Sequence, residues 1–197
     1  MAGIVHSYKK MRDYLKTFGI LTQHEIDSFE EKARSQKLKK GDFLIKKGQI
    51  CKEVGFVTSG VLRSFYHSSS EEEVTYCFTF SNSFASAYSS FLSQDKTVEN
   101  IQALTDVDIL TISRNEILKL EQSSTNWLKF FKHITEQEYI RMEKRIFMLQ
   151  KETAEKRYLN LLTNHPEFIQ RIPLNFLASY LGITQRHLSR IRRVVSN

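Results

Sequence analysis

The stretch LNFLASYLGITQRHLSRIRRVVSN, residues 174–197, is the most informative part of this sequence. Its apolar residues recur at helical spacing, yet Gly182 interrupts the pattern. Because glycine adopts positive φ at little cost, we expect the chain to turn sharply at this residue. The stretch therefore predicts two short helices joined by a tight turn.

Each predicted helix has an apolar face. In the first helix that face consists of Leu174, Leu177 and Leu181, and Ala178 is small where the second helix must cross closely. In the second helix the residues expected to point inward are Thr184, Leu188, Ile191 and Val195, and Thr184 is also placed to cap the helix. The residues left on the outward face are Gln185, Arg186, Ser189, Arg190 and Arg193. This arrangement is typical of a helix-turn-helix with an exposed recognition helix.

The charge of the chain is concentrated at the same end. Residues 1–140 hold 18 basic and 18 acidic side chains, whereas residues 141–197 hold 11 basic and 4 acidic ones. No carboxylate side chain follows Glu167. Such one-sided positive charge is typical of proteins that bind the phosphate backbone of nucleic acids. A helical hairpin in a bundle would share the apolar pattern, but it would have no reason to expose four arginines without acidic partners.

The polar residues of the second helix suit contacts to DNA. Arginine can bind guanine O6 and N7 in a fork, and glutamine can bind adenine N6 and N7. Short donors suit phosphate oxygens, and Arg193 is interpreted as a phosphate contact. The predicted DNA-binding residues are Thr184, Gln185, Arg186, His187, Ser189, Arg190 and Arg193.

The first part of the chain predicts helices followed by strands. Residues 1–36 have a helical pattern, with Thr22 and Glu25 at capping-box spacing. From Leu38 to about Ser113, short alternating runs separated by glycines indicate an antiparallel sandwich or barrel. In VTYCFTF the alternation places Val74, Tyr76, Phe78 and Phe80 on one face. HSSSEEE, residues 67–73, is predicted to form a polar hairpin loop.

A long helix is predicted over residues 114–150, which contain no glycine or proline. Its apolar residues at steps of three and four are Leu128, Phe131, Thr135, Tyr139, Met142, Ile146 and Leu149. Trp127, Phe130 and Ile134 form a second apolar face. We interpret the helix as a homodimerisation element, although periodicity alone also permits a buried helix of a monomer.

Pro166 and Pro173 mark boundaries between predicted helices. The predicted fold is α+β. It consists of an N-terminal sensor domain (1–113), a long connecting and dimerisation helix (114–150) and a C-terminal helix-turn-helix domain with three short helices (151–197).

Strands, a long helix and then ASYLGITQRHLSRIR together resemble the Crp/Fnr family of transcription regulators, in order and in length. The resemblance implies a β-roll of the cyclic-nucleotide-binding type, a dimerising helix and a winged-helix-like DNA-binding domain with a short or absent wing. It also implies base readout by Gln185, Arg186 and Arg190, double-stranded DNA and RNA polymerase as partners, and location in the bacterial cytoplasm.

The resemblance also defines a candidate effector pocket. Cyclic-AMP binders of the family carry a Gly-Glu pair and an Arg-Ser pair, which in an ungapped alignment correspond here to Ser86-Ala87 and Thr97-Val98. Both charged residues are missing, so we do not expect cyclic AMP to bind tightly, because a buried phosphate needs a cationic partner. The effector is either another small molecule or absent.

Other functions lack the residues they need. Two cysteines, Cys51 and Cys77, do not suffice for an iron–sulfur cluster, and His67 alone does not make a cupin metal site. His67 or Cys77 could be an axial haem ligand, but no motif around either residue indicates haem. No G-x-S-x-G elbow is present, and no apolar run has membrane-spanning length. We therefore expect no metal, no cofactor, no membrane span and no enzymatic activity. The remaining alternative is a β-roll that binds a small ligand or another protein without reading DNA.

Overall fold

A computed structural model describes residues 2–195, with side chains from Gly3 onward. Two helices come first, α1 (Ala2–Lys16) and α2 (Gln23–Lys32). Eight strands follow: β1 (Arg34–Leu38), β2 (Phe43–Ile45), β3 (Glu53–Ser59), β4 (Leu62–His67), β5 (Glu73–Thr79), β6 (Ser83–Ala85), β7 (Glu99–Ala103) and β8 (Val107–Ser113). The remaining helices are α3 (Tyr88–Ser93, between β6 and β7), α4 (Arg114–Ser123), α5 (Thr125–Lys151), α6 (Ala154–Asn164), α7 (Pro166–Arg171), α8 (Leu174–Tyr180) and α9 (Gln185–Val195).

The chain forms two compact units. The first contains the residues up to Tyr66 together with Phe78–Ile134, and the second contains His67–Cys77 together with the residues from Thr135 onward. The tip of the β4–β5 hairpin and the later part of α5 therefore belong to the same unit as α6–α9. The three-part division at residues 113 and 150 stays a prediction. Throughout the described part of the chain, no helix is both long and apolar enough to cross a membrane.

The strands form two four-stranded sheets, in the orders β1-β8-β3-β6 and β2-β7-β4-β5. The pairings of β8 with β1 and β3, of β3 with β6, and of β7 with β2 and β4 are all antiparallel. Apolar residues such as Phe56, Leu62, Ile101 and Ile109 are buried in the core of the first unit. The predicted α+β class with an antiparallel β-roll is confirmed.

The prediction that residues 1–36 are helical is wrong for the last residues of the segment. The capping box of Thr22 and Glu25 is present, but α2 ends at Lys32 and β1 begins at Arg34. The first four residues of β1 are exposed and polar, and the strand forms by backbone pairing with β8, from Arg34 opposite Thr111 to Leu38 opposite Val107. The residues of β1 show no apolar alternation, and the pairing with β8 is long-range, so the local sequence does not predict this strand.

Strand β5 does not bury one alternating face. Of the four residues expected to share a face, only Phe78 is buried, and Phe80 lies beyond the end of the strand. Thr75, which alternation would place outward, is buried instead. The strand passes from one compact unit to the other between Cys77 and Phe78, so its two halves pack in different surroundings.

The predicted long helix is divided at Ser124. This residue is extended, with φ −161° and ψ 139°, so α4 ends at Ser123 and α5 begins at Thr125. The Ser124 hydroxyl accepts the N–H of Asn126 at 3.1 Å and donates to the carboxylate of Glu25. The break therefore depends on capping by a serine and on a partner in α2, which helical periodicity does not reveal.

Glu25 joins the start of α2 to the start of α5, and its protonation should control stability. Burial raises its pKa, but hydrogen bonds from Ser124, from the N–H and hydroxyl of Thr22 and from Asn126 outweigh burial and lower the pKa from 4.5 to about 2. A carboxylate with a lowered pKa stabilises the fold above about pH 4.5, and this contribution is lost as pH falls towards 2.

We expect Glu25→Gln to lower the free energy of unfolding by roughly 1–2 kcal/mol at pH 7, after allowance for solvent screening. The difference from wild type should shrink between pH 4.5 and pH 2, as measured by urea denaturation. Glu31→Gln, at an exposed position of the same helix, is the matched control. A deficit that is the same at pH 3 as at pH 7 would contradict this role of the carboxylate.

Candidate nucleic-acid interface

Helices α8 and α9 are joined by a turn whose backbone ends α8 in a Schellman motif. Gly182 has φ +68°, its N–H donates to the carbonyl of Ser179 at 3.0 Å, and the N–H of Ile183 donates to the carbonyl of Ala178 at 3.1 Å. This pair of bonds satisfies carbonyls that a helix end leaves open. The predicted glycine turn is confirmed.

Thr184 begins α9. Its hydroxyl oxygen accepts the N–H of His187 at 3.2 Å, as expected of an N-cap. The expectation that Thr184 points into the core is wrong, because the residue is exposed. A capping side chain turns back along the helix end to reach an N–H group, and this direction keeps it at the surface.

The apolar side of α9 packs in the second unit. Leu188 and Ile191 are buried and Val195 is half-buried, and the buried residues of α8 are Leu177 and Ala178, followed by the buried Leu181. Gln185, Arg186, Ser189, Arg190 and Arg193 are exposed, whereas His187 is half-buried. All seven predicted DNA-binding residues lie on α9 or at its cap. Ser189 already donates its hydroxyl to the carbonyl of Gln185 at 3.0 Å.

The outward side of α9 carries positive charge without compensation. Arg186, Arg190 and Arg193 follow one another at steps of four and three, which places them on one side of a helix. Across residues 2–195, none of the four arginines of α9 forms an ion pair. The exposed surface of α9 is therefore cationic and open to an anionic partner.

Three consecutive residues at the end of α8 are each held by a different part of the second unit. The Ser179 hydroxyl accepts the N–H of Thr75 at 2.9 Å and donates to the carbonyl of Glu73 at 3.1 Å. The next residue, Tyr180, is held by Arg145 of α5, and Leu181 is held by Arg157 of α6. The hairpin tip, the long helix and α6 thus converge where α8 turns towards α9.

Arg145 contacts Tyr180 in two ways. Its Nη2 donates to the Tyr180 carbonyl at 2.8 Å, and its guanidinium carbon lies 3.7 Å from the centre of the Tyr180 ring. Burial lowers the pKa of Arg145 and raises the pKa of Tyr180. Neither periodicity nor charge indicates this contact, because the basic excess after residue 140 as a whole predicts phosphate binding. Part of that excess holds the protein together.

The candidate effector residues are divided between two places. Ser86 and Ala87 line a cavity of about 530 Å³ in the first unit. The other lining residues are Leu44, Ile45, Gly48, Gln49, Ile50, Cys51, Lys52, Glu53 and Lys96. Thr97 and Val98 do not contribute to it: Thr97 is buried and bonded through its N–H to the carbonyl of Gln49 at 2.8 Å, and Val98 is 73% exposed. The cations beside the cavity are Lys52 and Lys96, which an ungapped alignment does not select.

The predicted dimer helix presents an apolar stripe to solvent. Tyr139 is 67% and Met142 58% exposed, and the other exposed members of the set are Leu128, Thr135, Ile146 and Leu149. Phe131 differs from them, because it is half-buried and stacks on Trp127 with ring centroids 5.5 Å apart. Trp127 and Phe130 are buried, so the second predicted face of the helix serves the core of the first unit.

Residues 35–124 match the family model of the Cyclic nucleotide-binding domain. A comparison with curated protein sequences finds no match. Among solved structures, the chain is similar to FixK2 from Bradyrhizobium japonicum, with a TM-score of 0.72, 17% sequence identity and coverage of 83% of this chain and 84% of that one.

Two further structures agree. One is CLP from Xanthomonas campestris, described as a c-di-GMP-responsive global regulator, with a TM-score of 0.71, 17% identity and coverage of 89% of this chain and 92% of that one. The other is a transcriptional regulator of the crp/fnr family from Eubacterium rectale, with a TM-score of 0.71, 18% identity and coverage of 93% and 88%. These likenesses establish the fold, and the resemblance to Crp/Fnr regulators is confirmed.

The turn between α8 and α9 can be tested through its backbone. A Cβ at position 182 would meet the Leu149 Cδ2 at 3.5 Å, which is an ordinary contact, so the cost of Gly182→Ala should come from the positive φ. We expect a loss of about 1–2 kcal/mol in the free energy of unfolding, measured by urea denaturation. Gly182→Asn should lose less, because asparagine tolerates this conformation. Alanine and asparagine variants of equal stability would contradict the assignment.

Proposed function

We propose that this chain, which has the Crp/Fnr fold, is a sequence-specific DNA-binding transcription regulator that acts as a homodimer. The observation that carries the proposal is the exposed arginine side of α9, which has no acidic partner in the described chain and follows a helix-turn-helix turn. Helix-turn-helix proteins place such a helix in the major groove, where its early residues reach base edges. Among the similar structures, the Eubacterium rectale protein is a transcriptional regulator and CLP is a global regulator linked to virulence gene expression.

Each of the seven predicted DNA-binding residues has a role in the proposal. Arg186 and Arg190 can each fork onto a guanine, and Gln185 can bind an adenine. The proposed phosphate contacts are Thr184, His187, Ser189 and Arg193, which position the helix rather than select a sequence. Ser189 would exchange its bond to the Gln185 carbonyl for a phosphate oxygen, whereas the exposed Arg193 is free to reach one directly.

A second copy of the chain is the proposed partner of the exposed stripe on α5. Tyr139, Met142, Ile146 and Leu149 follow the three-and-four spacing of a coiled-coil seam and stay exposed in the single chain. A pair of parallel helices would bury them. The dimer would then present two recognition helices to successive major grooves of a pseudo-palindromic operator.

The cavity lined by Ser86 and Ala87 could hold a small-molecule effector. We do not propose cyclic AMP as this effector. No cation stands at positions 97 and 98, and the two lysines beside the cavity are exposed. Cytoplasmic location and contact with RNA polymerase belong to the proposal by family resemblance. A ligand-binding or protein-binding β-roll without DNA readout is not favoured, because it leaves the arginines of α9 without a function.

Base readout predicts a position-specific defect. Arg190→Ala should weaken binding to an operator selected from random duplexes by about 1–3 kcal/mol and relax the preference at one base pair, measured by gel shift with single-base operator variants. Arg193→Ala is the matched control: it should weaken all sequences alike and reduce the slope of log K against log salt by about 1. Unchanged affinity and unchanged preference after Arg190→Ala would remove this residue from the interface.

Dimerisation through α5 predicts a variant that stays monomeric. Met142→Glu with Ile146→Glu places two carboxylates in the proposed seam, where burial of an unpaired charge is costly. The double variant should sediment as a monomer at micromolar concentrations at which wild type sediments as a dimer. Lys144→Glu introduces the same group at an exposed position off the stripe and should remain dimeric. A dimeric double variant, or a monomeric wild type, would contradict the proposed interface.

A further inference from the structure

We propose that Arg157 is a positioning residue for the recognition helix: it fixes the α8–α9 turn to the end of α5 and so raises DNA affinity without touching DNA. The inference rests on the proposed function, because it concerns the same helix-turn-helix. Arg157 belongs to α6, and neither its position nor its spacing marks it as part of a DNA interface.

The guanidinium of Arg157 bridges the ends of two helices. Its Nε donates to the carbonyl of Leu181 at 3.0 Å, at the carboxyl end of α8. Its Nη1 donates to the carbonyl of Glu152 at 2.6 Å, one residue beyond the last residue of α5, and to that of Leu149 at 3.4 Å. Carbonyls at helix ends lack partners within the helix and carry partial negative charge, so a cation there satisfies hydrogen bonds and the helix dipole together.

The bridge requires a guanidinium. Arginine carries several N–H donors in a rigid fork, which lets one side chain serve acceptors on two helices at once. Lysine carries its three N–H donors on one nitrogen at the end of a flexible stem, so it lacks the fixed fork and should hold the two helix ends less firmly. Leu181 directly precedes Gly182, so its carbonyl is the last backbone acceptor before the chain turns towards α9.

Loss of the bridge should leave α9 folded but less firmly oriented. A DNA-binding helix that must be ordered at the moment of binding has a lower apparent affinity, because part of the binding free energy is used for ordering. The loss of affinity should be the same for every DNA sequence, because Arg157 donates to protein carbonyls and not to DNA. For the same reason no phosphate contact disappears, and the salt dependence of binding should stay as in wild type.

The test compares Arg157→Met, Arg157→Lys and Lys156→Met as full-length chains on the selected operator. Methionine keeps an apolar stem of similar length and removes the donors, and we expect about tenfold weaker binding, with an intermediate loss for lysine. Lys156→Met removes the same charge from an exposed neighbour whose partner is Glu152 at 3.5 Å, and it should bind within about twofold of wild type. Amide hydrogen exchange at residues 179–184 should become faster in Arg157→Met, which loss of a DNA contact would not cause.

The outcomes separate the two proposals. If wild type binds no duplex, the proposed function fails and this inference fails with it. If wild type binds and Arg157→Met binds equally well, only the inference is overturned. It is also overturned if Arg157→Met reduces the salt slope by about 1, since that result would identify Arg157 as a phosphate contact. If Arg157→Met does not fold, Arg157→Lys is compared with wild type in the same way. An Arg157→Lys variant that binds DNA as tightly as wild type would also overturn the inference.

Discussion

Burial of Leu188 and Ile191 packs α9 in the second unit and determines which side of this helix stays exposed. A helix has 3.6 residues per turn, so burial of these two side chains leaves Arg186, Arg190 and Arg193 facing outward. The Schellman turn at Gly182 fixes where α9 begins and therefore which residues are buried. A shift of α9 by one residue would rotate its arginines together by about 100° and turn the cationic surface away from its present direction.

Arginines in the second unit serve two different purposes. Those of α9 remain exposed and without acidic partners, which makes them available to an anionic ligand. Arg145 and Arg157 instead bind backbone carbonyls at the end of α8, next to the turn that orients α9. The guanidinium suits both purposes, because its charge persists on burial and its donors fit carbonyl oxygens as well as phosphates. The net positive charge of the carboxyl end thus lies partly on the proposed DNA-binding surface and partly in contacts that hold the second unit together.

Features that depend on residues close together in the sequence could be predicted, whereas features that depend on distant residues could not. The turn at Gly182, the capping box of Thr22 and Glu25 and the outward arginines depend on neighbours a few residues away, and periodicity and capping rules reveal them. The start of β1 at Arg34 and the break at Ser124 depend on β8 and on Glu25, which are distant in the chain. The prediction of three short helices after residue 150 is wrong, because Pro166 also begins a helix, α7. Four helices therefore follow α5 in the described residues.

The candidate site likewise contains features that the local sequence predicts and features that it does not. Exposure of the α9 residues follows from local amphipathic pattern, whereas the bridge made by Arg157 joins three separate helices and has no local pattern. The effector region shows the limit of ungapped alignment: Ser86 and Ala87 line a cavity, but Val98 faces solvent. Loop insertions and deletions move such residues without changing the surrounding strands.

In the proposed complex, two copies of α9 read duplex DNA through their cationic surfaces. The decisive experiment selects the sequences that the wild-type chain binds from a library of random duplexes. We expect recovery of an inverted repeat whose half-sites are separated by about one helical turn, 10–10.5 base pairs between centres. Recovery of sequences no different from the starting library at low ionic strength would contradict it.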